Sequence, residues 1–301
     1  MADKVSEQGL SRRNFLKTGV AAGALAGVGQ LAEAKPTRQA TDSVVLGRSG
    51  IKASRLAFGT GSHGGRIQHE LGQDGFNKLV RHAYDSGVRF FETSETYGIS
   101  PQMLGEALKG LPRDSYTLMN KVTTRDNPEV DPHAKLEELR RQAQADYFDI
   151  MLLHVQHTAT WVEDSKRWQD AIDEAQHKQI IRARGASIHG LPALRRMPSH
   201  DWMQVALVRT NHTGQVMDAE KWDARVSDNM DDVVRHIQMA KKAGIGLIGM
   251  KLVAEGLFER EDRRKAIRFA FQTTGVDAVT IGFKAPEEID EAIENINLAL
   301  A

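Results

Sequence analysis

Four side chains of complementary chemistry succeed one another along the chain: Glu92, Tyr97, Lys121 and His154. Each stands at or just past the end of a short apolar run. Glu92 closes Phe90-Phe91-Glu92, and Tyr97 follows in Thr93-Ser94-Glu95-Thr96-Tyr97-Gly98. Lys121 ends Asn120-Lys121, and His154 ends Leu152-Leu153-His154. A carboxylate, a phenol, an ammonium and an imidazole at one mouth suit proton transfer to a carbonyl oxygen. A free phenol has a pKa of about 10, too high for an efficient acid at neutral pH. A nearby ammonium favours the phenolate and is expected to lower that value. A carboxylate holds the ammonium charged and in place, and an imidazole can donate to the same oxygen. If hydride arrives on the carbonyl carbon, the developing alkoxide takes its proton from Tyr97.

The elements that must position these groups are legible from end to end. Apolar runs occur at Leu56–Phe58, Val88–Phe91, Tyr116–Met119, Phe148–Leu153, Ile180–Ala183, Val205–Val208, Ile245–Met250 and Ala278–Ile281. Short runs of this kind, bounded by Gly or polar residues, read as buried parallel strands. Helical patterns lie between them. Phe76–Ser86 places apolar residues at Phe76, Leu79, Val80 and Ala83 and stops at Gly87. Pro132–Ala145 opens with the cap Asp131 before an N1 proline. Met230–Ala243 stops at Gly244, and Pro286–Leu300 opens with Glu287-Glu288, suited to a helix N-terminus. Eight strand–helix units predict an α/β (β/α)8 TIM barrel in a single domain, with active-site residues at the C-terminal strand ends. A doubly wound sheet is disfavoured, because no G-x-G-x-x-G follows the first strand. Val44–Ser54, turning at Gly47-Arg48-Ser49-Gly50, predicts a hairpin that closes the barrel bottom.

Residues 1–34 read as an address. Ser11-Arg12-Arg13-Asn14-Phe15-Leu16-Lys17 resembles the twin-arginine export motif. An Ala/Gly-rich stretch from Thr18 to Leu31 follows, then the small-residue site Ala32-Glu33-Ala34. The stretch is too short and glycine-rich for a stable membrane span, so residues 35–301 are expected as a periplasmic barrel without one. The resemblance implies a partner in the twin-arginine export machinery, which carries folded proteins.

The 301 residues hold 40 basic and 40 acidic side chains and no cysteine. Removing the leader takes four basic and three acidic groups, leaving one net negative charge. That balance argues against a nucleic-acid partner. The missing cysteines exclude disulfides, iron–sulfur clusters, cysteine-ligated zinc and a thiol nucleophile. His154, His157 and His189 fall near strand ends, but no H-E-x-x-H or acidic ligand cluster accompanies them, so no metal is expected. Glu92 and Glu95 are too close in one loop to flank a sugar bond as two acids.

The segment Phe91–Ser100 with Leu104-Gly105-Glu106-Ala107-Leu108 resembles the catalytic-tyrosine segment of the aldo-keto reductases. The similarity extends over nearly the whole of residues 35–301. Leu46–Ser54 resembles the family's opening hairpin, Phe58-Gly59-Thr60-Gly61 its first strand end, and Asn120-Lys121-Val122 its lysine strand. Leu153-His154, Gly185-Ala186-Ser187, Gly249-Met250-Lys251 to Gly256-Leu257, and Ile281–Glu288 follow in family order. The resemblance implies hydride transfer between NAD(P)H and an aldehyde, ketone or sugar. The family's Asp, Tyr, Lys and His become Glu92, Tyr97, Lys121 and His154, so the carboxylate stands one methylene farther out. It implies a cofactor held by Ser187, Lys251, Gly282, Phe283, Lys284 and Glu288. Ile188 replaces the asparagine that usually follows the serine, and the expected glutamine is apolar sequence around Leu207. Glu288 stands where an arginine often grips a 2′-phosphate, which tilts the expectation toward NAD over NADP, with Lys284 nearby. The periplasm recycles free nicotinamide cofactors poorly, so a cofactor loaded before export and held tightly is expected. The departures at Glu92, Ile188 and Leu207 also admit a non-catalytic or redox-impaired binding protein on the same barrel. Substrate choice is expected to lie in Ser62–Gly75, Ala159–Ser165 and Thr210–Asn229, with Trp161, Trp168, Trp202 and Trp222 as candidate walls, of which Trp168 is rather expected to pack on a helix.

Overall fold

Alternation along each strand explains the architecture. In the computed structural model, which describes residues 37–124, 129–224 and 226–301, eight strands form a closed parallel barrel. They are β3 (Leu56–Gly59), β4 (Phe90–Glu92), β5 (Thr117–Thr123), β6 (Phe148–Gln156), β7 (Ile181–Ile188), β8 (Val205–Arg209), β9 (Gly246–Met250) and β10 (Ala278–Gly282), preceded by β1 (Ser43–Val45) and β2 (Lys52–Ser54). Barrel neighbours follow chain order, and β10 closes on β3 with Val279 opposite Leu56 and Gly282 opposite Gly59. The expected (β/α)8 barrel is the observed fold. The leader and its cleavage site lie outside the described residues.

One parity of each strand fills the barrel interior: Ala57, Phe90, Met119, Ile150, Leu152, Ala183, Val205, Leu207, Ile248 and Ala278. The other parity packs under the helices, with Phe58, Phe91, Val122, Leu153, Ala186, Val208 and Ile281. Strands buried on both faces therefore read as continuous apolar runs. Continuing the inward parity to the C-terminal strand ends brings Glu92, Lys121, His154, Ser187, Arg209 and Thr280 to one layer at the mouth.

A helix follows every barrel strand: α1 (Gly72–Asp85), α2 (Ser100–Leu108), α3 (Pro132–Gln142), α4 (Lys166–His177), α5 (Leu191–Arg196), α6 (Met230–Lys242), α7 (Arg260–Arg268) and α8 (Pro286–Leu300). α1 buries Phe76, Leu79, Val80 and Ala83, the stripe expected at helical spacing. The Asp131 carboxylate caps α3 by accepting from the His133 N–H at 3.1 Å, and Asn229 caps α6 through Asp232 N–H at 3.1 Å. Among the described residues, no helix is long and apolar enough to cross a membrane.

β1 and β2 pair antiparallel, Ser43 opposite Ser54, as the hairpin reading expected. The hairpin seals the N-terminal end of the barrel because Leu46 is fully buried in its interior layer. Arg48 fastens it, donating from its backbone N–H to Gly244 C=O at 2.7 Å and from Nε to Met203 C=O at 3.0 Å. Gly47 has φ +49°, and a Cβ there would lie 2.2 Å from the backbone nitrogen of Gly246. Gly47→Ala therefore combines left-handed strain with a clash against backbone, and a loss of about 2–3 kcal/mol is expected in urea unfolding. An unchanged midpoint would mean that the hairpin does not seal the barrel.

Candidate active site

The mouth layer is held by strand ends rather than by flexible loops, so its side chains start from fixed backbone positions. Lys121 is fully buried. Its Nζ contacts Glu92 Oε1 and donates to Thr93 C=O at 2.7 Å. Thr280 Oγ1 donates to Glu92 Oε2 at 3.2 Å. Room for the longer carboxylate comes from Gly59, paired with Glu92 across the sheet: a Cβ there would stand 3.0 Å from Glu92 Oε2. The extra methylene is thus absorbed by an absent side chain, and the ion pair forms.

Tyr97 lies in the turn after β4, its N–H donating to Ser94 C=O at 3.1 Å. The hydroxyl end of its ring packs against Gly61, where a Cβ would meet Cζ at 2.4 Å. Lys121 Nζ stands 4.6 Å from the centre of that ring. The His154 ring meets the tyrosine ring edge-on at 5.7 Å. His154 Nδ1 is 3.0 Å from Ser94 Oγ and 3.2 Å from Thr96 Oγ1, which fix the imidazole's orientation. All four residues named from the sequence therefore meet at one place.

The expected electrostatics differ. Burial raises the Tyr97 phenol above its ordinary pKa instead of leaving it lowered by the lysine. Lys121 faces the ring, and Glu92 in contact takes up its charge, so little of the ammonium's field reaches the hydroxyl. Burial, aided by the like charge of Lys251, pulls Lys121 well below the ordinary lysine value. Glu92 is then the group that keeps this ammonium protonated.

Of the residues expected at a cofactor, all but Ser187 line one or both of two adjoining cavities. The larger, about 380 Å³, is lined by Ser62, Val253, Arg263, Lys284, Glu288 and Asn295 among others. A second, of about 80 Å³, reaches Gly59, Glu92, Tyr97, Leu207, Met250 and Lys251, and the two share Ser62, Val253, Glu255, Ile281 and Gly282. Gly282 is required where they meet, since a Cβ there would fall 2.0 Å from Ser62 Oγ. Lys251, at φ +59°, is engaged by Glu255 at 2.6 Å. The Phe283 ring turns into the core against Phe58, 5.7 Å between centres, so its side chain serves packing. The Lys284 N–H donates to Glu288 Oε2 at 2.9 Å. Arg263 of α7 is held by both Glu291 oxygens, each at 2.9 Å. Ser187 is fully buried in the mouth layer, while Ile188 packs outward under the helices and Leu207 is apolar.

Sequence reasoning missed Thr280, Arg209 and Asp218 and gave His189 no role. Arg209 carried a signal, as a charged residue ending the apolar run Val205–Val208 on the inward parity. Of the proposed tryptophan walls, Trp161 and Trp168 are buried and Trp202 nearly so, whereas Trp222 is exposed and stacks on His157 at 5.1 Å. Among the described residues no group of three or more His, Asp or Glu side chains is arranged to hold a metal ion.

Comparison with known proteins agrees with this architecture. The profile of the aldo/keto reductase family matches residues 55–267, and that of the twin-arginine translocation signal matches residues 9–29. A Glycine max protein named "Probable aldo-keto reductase 1" is 24% identical over 238 residues, which is 74% of this chain and 62% of that protein. A Pseudomonas aeruginosa structure assigned to the aldo-keto reductases superposes with TM-score 0.68 at 21% identity, covering 87% of this chain and 98% of the other. A Klebsiella pneumoniae aldo-keto reductase solved with NADPH gives TM-score 0.63 at 18% identity, covering 86% and 90%.

Proposed function

Since the chain belongs to the aldo/keto reductase family, we propose that it is an oxidoreductase moving hydride between NAD(P)H and an aldehyde, ketone or sugar carbonyl, with Tyr97 as general acid and base. The observation that carries this reading is the buried Glu92–Lys121 pair under the face of Tyr97, with His154 edge-on beside it.

The residues present fit a nicotinamide nucleotide. The two adjoining cavities together run from Glu288 in the first turn of α8 to Tyr97, and the helix N-terminus at Pro286 suits a phosphate group. Lys284, Glu288, Gly282 and Lys251 would border the nucleotide, with Ser187 left as the polar group for the carboxamide. When bound, the nucleotide supplies hydride. Tyr97 gives its proton to the carbonyl oxygen, and its raised pKa keeps that proton in place through neutral pH. Lys121, held charged by Glu92, fixes the tyrosine ring from beneath its face. His154 orients the oxygen against Tyr97.

Position is the lever that the fold controls. Gly61→Ala pushes the tyrosine ring aside and is expected to lower turnover about 100-fold, with the unfolding midpoint little changed. Turnover at the wild-type level would remove Tyr97 from the reaction.

Glu288 favours NAD. Its carboxylate borders the larger cavity, and Arg263 there is already neutralised by Glu291. A 2′-phosphate dianion beside Glu288 is repelled, while a 2′-hydroxyl can donate to it. Glu288→Gln should raise NADP⁺ affinity relative to NAD⁺ by about five- to ten-fold in fluorescence titration, as removal of one partly screened charge allows. An unchanged ratio overturns the preference.

Residues 1–34 act in this reading as a leader removed on twin-arginine export to the periplasm, and residues 35–301 as the mature barrel, loaded with its cofactor beforehand. Mass spectrometry of protein from the periplasm tests both points: the N-terminus should be Lys35, and a nucleotide should accompany it. The apolar Ile188 and Leu207 favour a second reading, a binding protein without turnover. Absence of any nucleotide, together with no fluorescence quenching by NAD(H) or NADP(H), would select it.

A further inference from the structure

A second run of buried polar groups lies on the rim opposite Glu92, and the proposed proton transfer leaves it unused. Arg209 ends β8 on the inward parity and is 9% exposed. Its Nη2 is 2.9 Å from His189 Nδ1, and its Nη1 donates to Met217 C=O at 3.4 Å. His189 Nε2 is 2.8 Å from Ser187 Oγ. Asp218 Oδ1 lies 3.7 Å from Arg209 Nε, and neither Asp218 oxygen nor that Nε has a hydrogen-bond partner. His189 also meets the His154 ring edge-on at 5.8 Å, which ties this run to the proposed catalytic group.

Donor rules set the direction of the run. A guanidinium only donates, so His189 Nδ1 accepts. Burial and the neighbouring Arg209 charge keep the imidazole neutral. A neutral ring has one proton, which must then sit on Nε2. Nε2–H donates to Ser187 Oγ and occupies one of its lone pairs. The serine hydroxyl proton is thereby committed to a different partner. Ser187 is in register with Leu207, which lines the small cavity beside Tyr97. Of Ser187, Ile188 and Leu207, the serine alone can hydrogen-bond a ligand.

We infer that Arg209 is a positioning residue: through His189 it fixes Ser187 as a hydrogen-bond donor, presented to the carboxamide oxygen of the nicotinamide ring. This rests on the nucleotide reading above. Asp218 completes the device by standing against the guanidinium from the far side. Its carboxyl, raised by burial to about 7, gives Arg209 an incomplete counter-charge, so the guanidinium stays directed at His189.

Nitrogen NMR of the full chain with ¹⁵N-labelled histidine reads the tautomer, and His189→Gln assigns the signal. His189 should show a protonated Nε2 and a bare Nδ1. A protonated Nδ1 or a charged ring overturns the inference, and this measurement needs no folding-sensitive variant. Binding gives the second readout. Arg209→Met with Asp218→Asn removes both buried charges together. Ser187→Ala and this double variant should each weaken NAD⁺ about ten-fold, as loss of one ligand hydrogen bond does. Combining them should weaken binding no further, because both act through one contact. ADP-ribose, which lacks the nicotinamide, should bind every variant as it binds wild type. Wild-type NAD⁺ affinity in the double variant, or equal weakening of ADP-ribose, overturns the inference. If wild type binds none of NAD⁺, NADP⁺ or ADP-ribose, the nucleotide reading falls and takes this one with it. Normal nucleotide binding with the wrong tautomer sinks this one alone.

Discussion

Tyr97→Phe lowers carbonyl turnover about a thousand-fold and leaves nucleotide affinity within about two-fold of wild type, as loss of a general acid with retained binding requires. The benzene ring still covers Gly61 and still faces Lys121 and His154, so packing is kept and a proton is removed. The direction of the phenol's shift adds a second signature. Burial raises its pKa, so the protonated form that reduction needs persists through neutral pH. Reduction should therefore stay level across neutral pH and fail only at high pH. Oxidation of the alcohol needs the phenolate and should climb as pH rises. Stopped turnover in both directions is the expected outcome for the variant. Retained turnover in either would assign the proton to another group.

Glu92→Gln should cost about 3–5 kcal/mol of stability at neutral pH, the usual loss when one partner of a buried ion pair is removed. Lys121 is fully buried and already pulled down by desolvation. Without the carboxylate it folds neutral, whereas the unfolded chain keeps its lysine protonated up to its ordinary value. The unfolded state then binds one more proton, so the variant's stability rises with pH by about 1.4 kcal/mol per unit until that value is passed. Urea unfolding between neutral pH and pH 10 should show a larger recovery in the variant than in wild type, whose lysine is lowered by burial but keeps its carboxylate partner. Turnover should fall with the ammonium's charge. Glu92→Asp keeps the charge and should restore a wild-type pH dependence. A flat variant curve would mean that Glu92 does not hold the lysine proton.

Strand and helix succession was readable because barrel strands bury both faces and their helices bury one stripe. The reading of Ile180–Ala183 stopped five residues short of the end of β7, since Arg184, Gly185 and Ser187 break the apolar run. Each has a reason in space: Gly185 has Val205 C=O where a Cβ would stand, and Ser187 belongs to the mouth. The candidate site was legible where function demands an unusual residue at a strand end, as at Glu92, Lys121 and His154. Two things were not. The phenol's pKa depends on where the lysine charge is spent, and spacing along the chain does not record that Glu92 intercepts it. The Arg209, His189 and Asp218 run joins a strand end to loops that follow β7 and β8, so no local pattern announces it. Phe283 was matched by position, yet its ring serves the core.

Barrel closure carries a further consequence for synthesis. Leu56 and Phe58 wait for Val279 and Ile281, more than two hundred residues downstream. A ribosome therefore releases nearly the entire polypeptide before the sheet loses its last open edge. A chain cut short before Ala278 keeps β3 as a bare template for other strands. For a protein proposed to leave the cytoplasm already folded, completing translation and becoming fit for transport are thus one event, and the last strand acts as the certificate of a finished cargo.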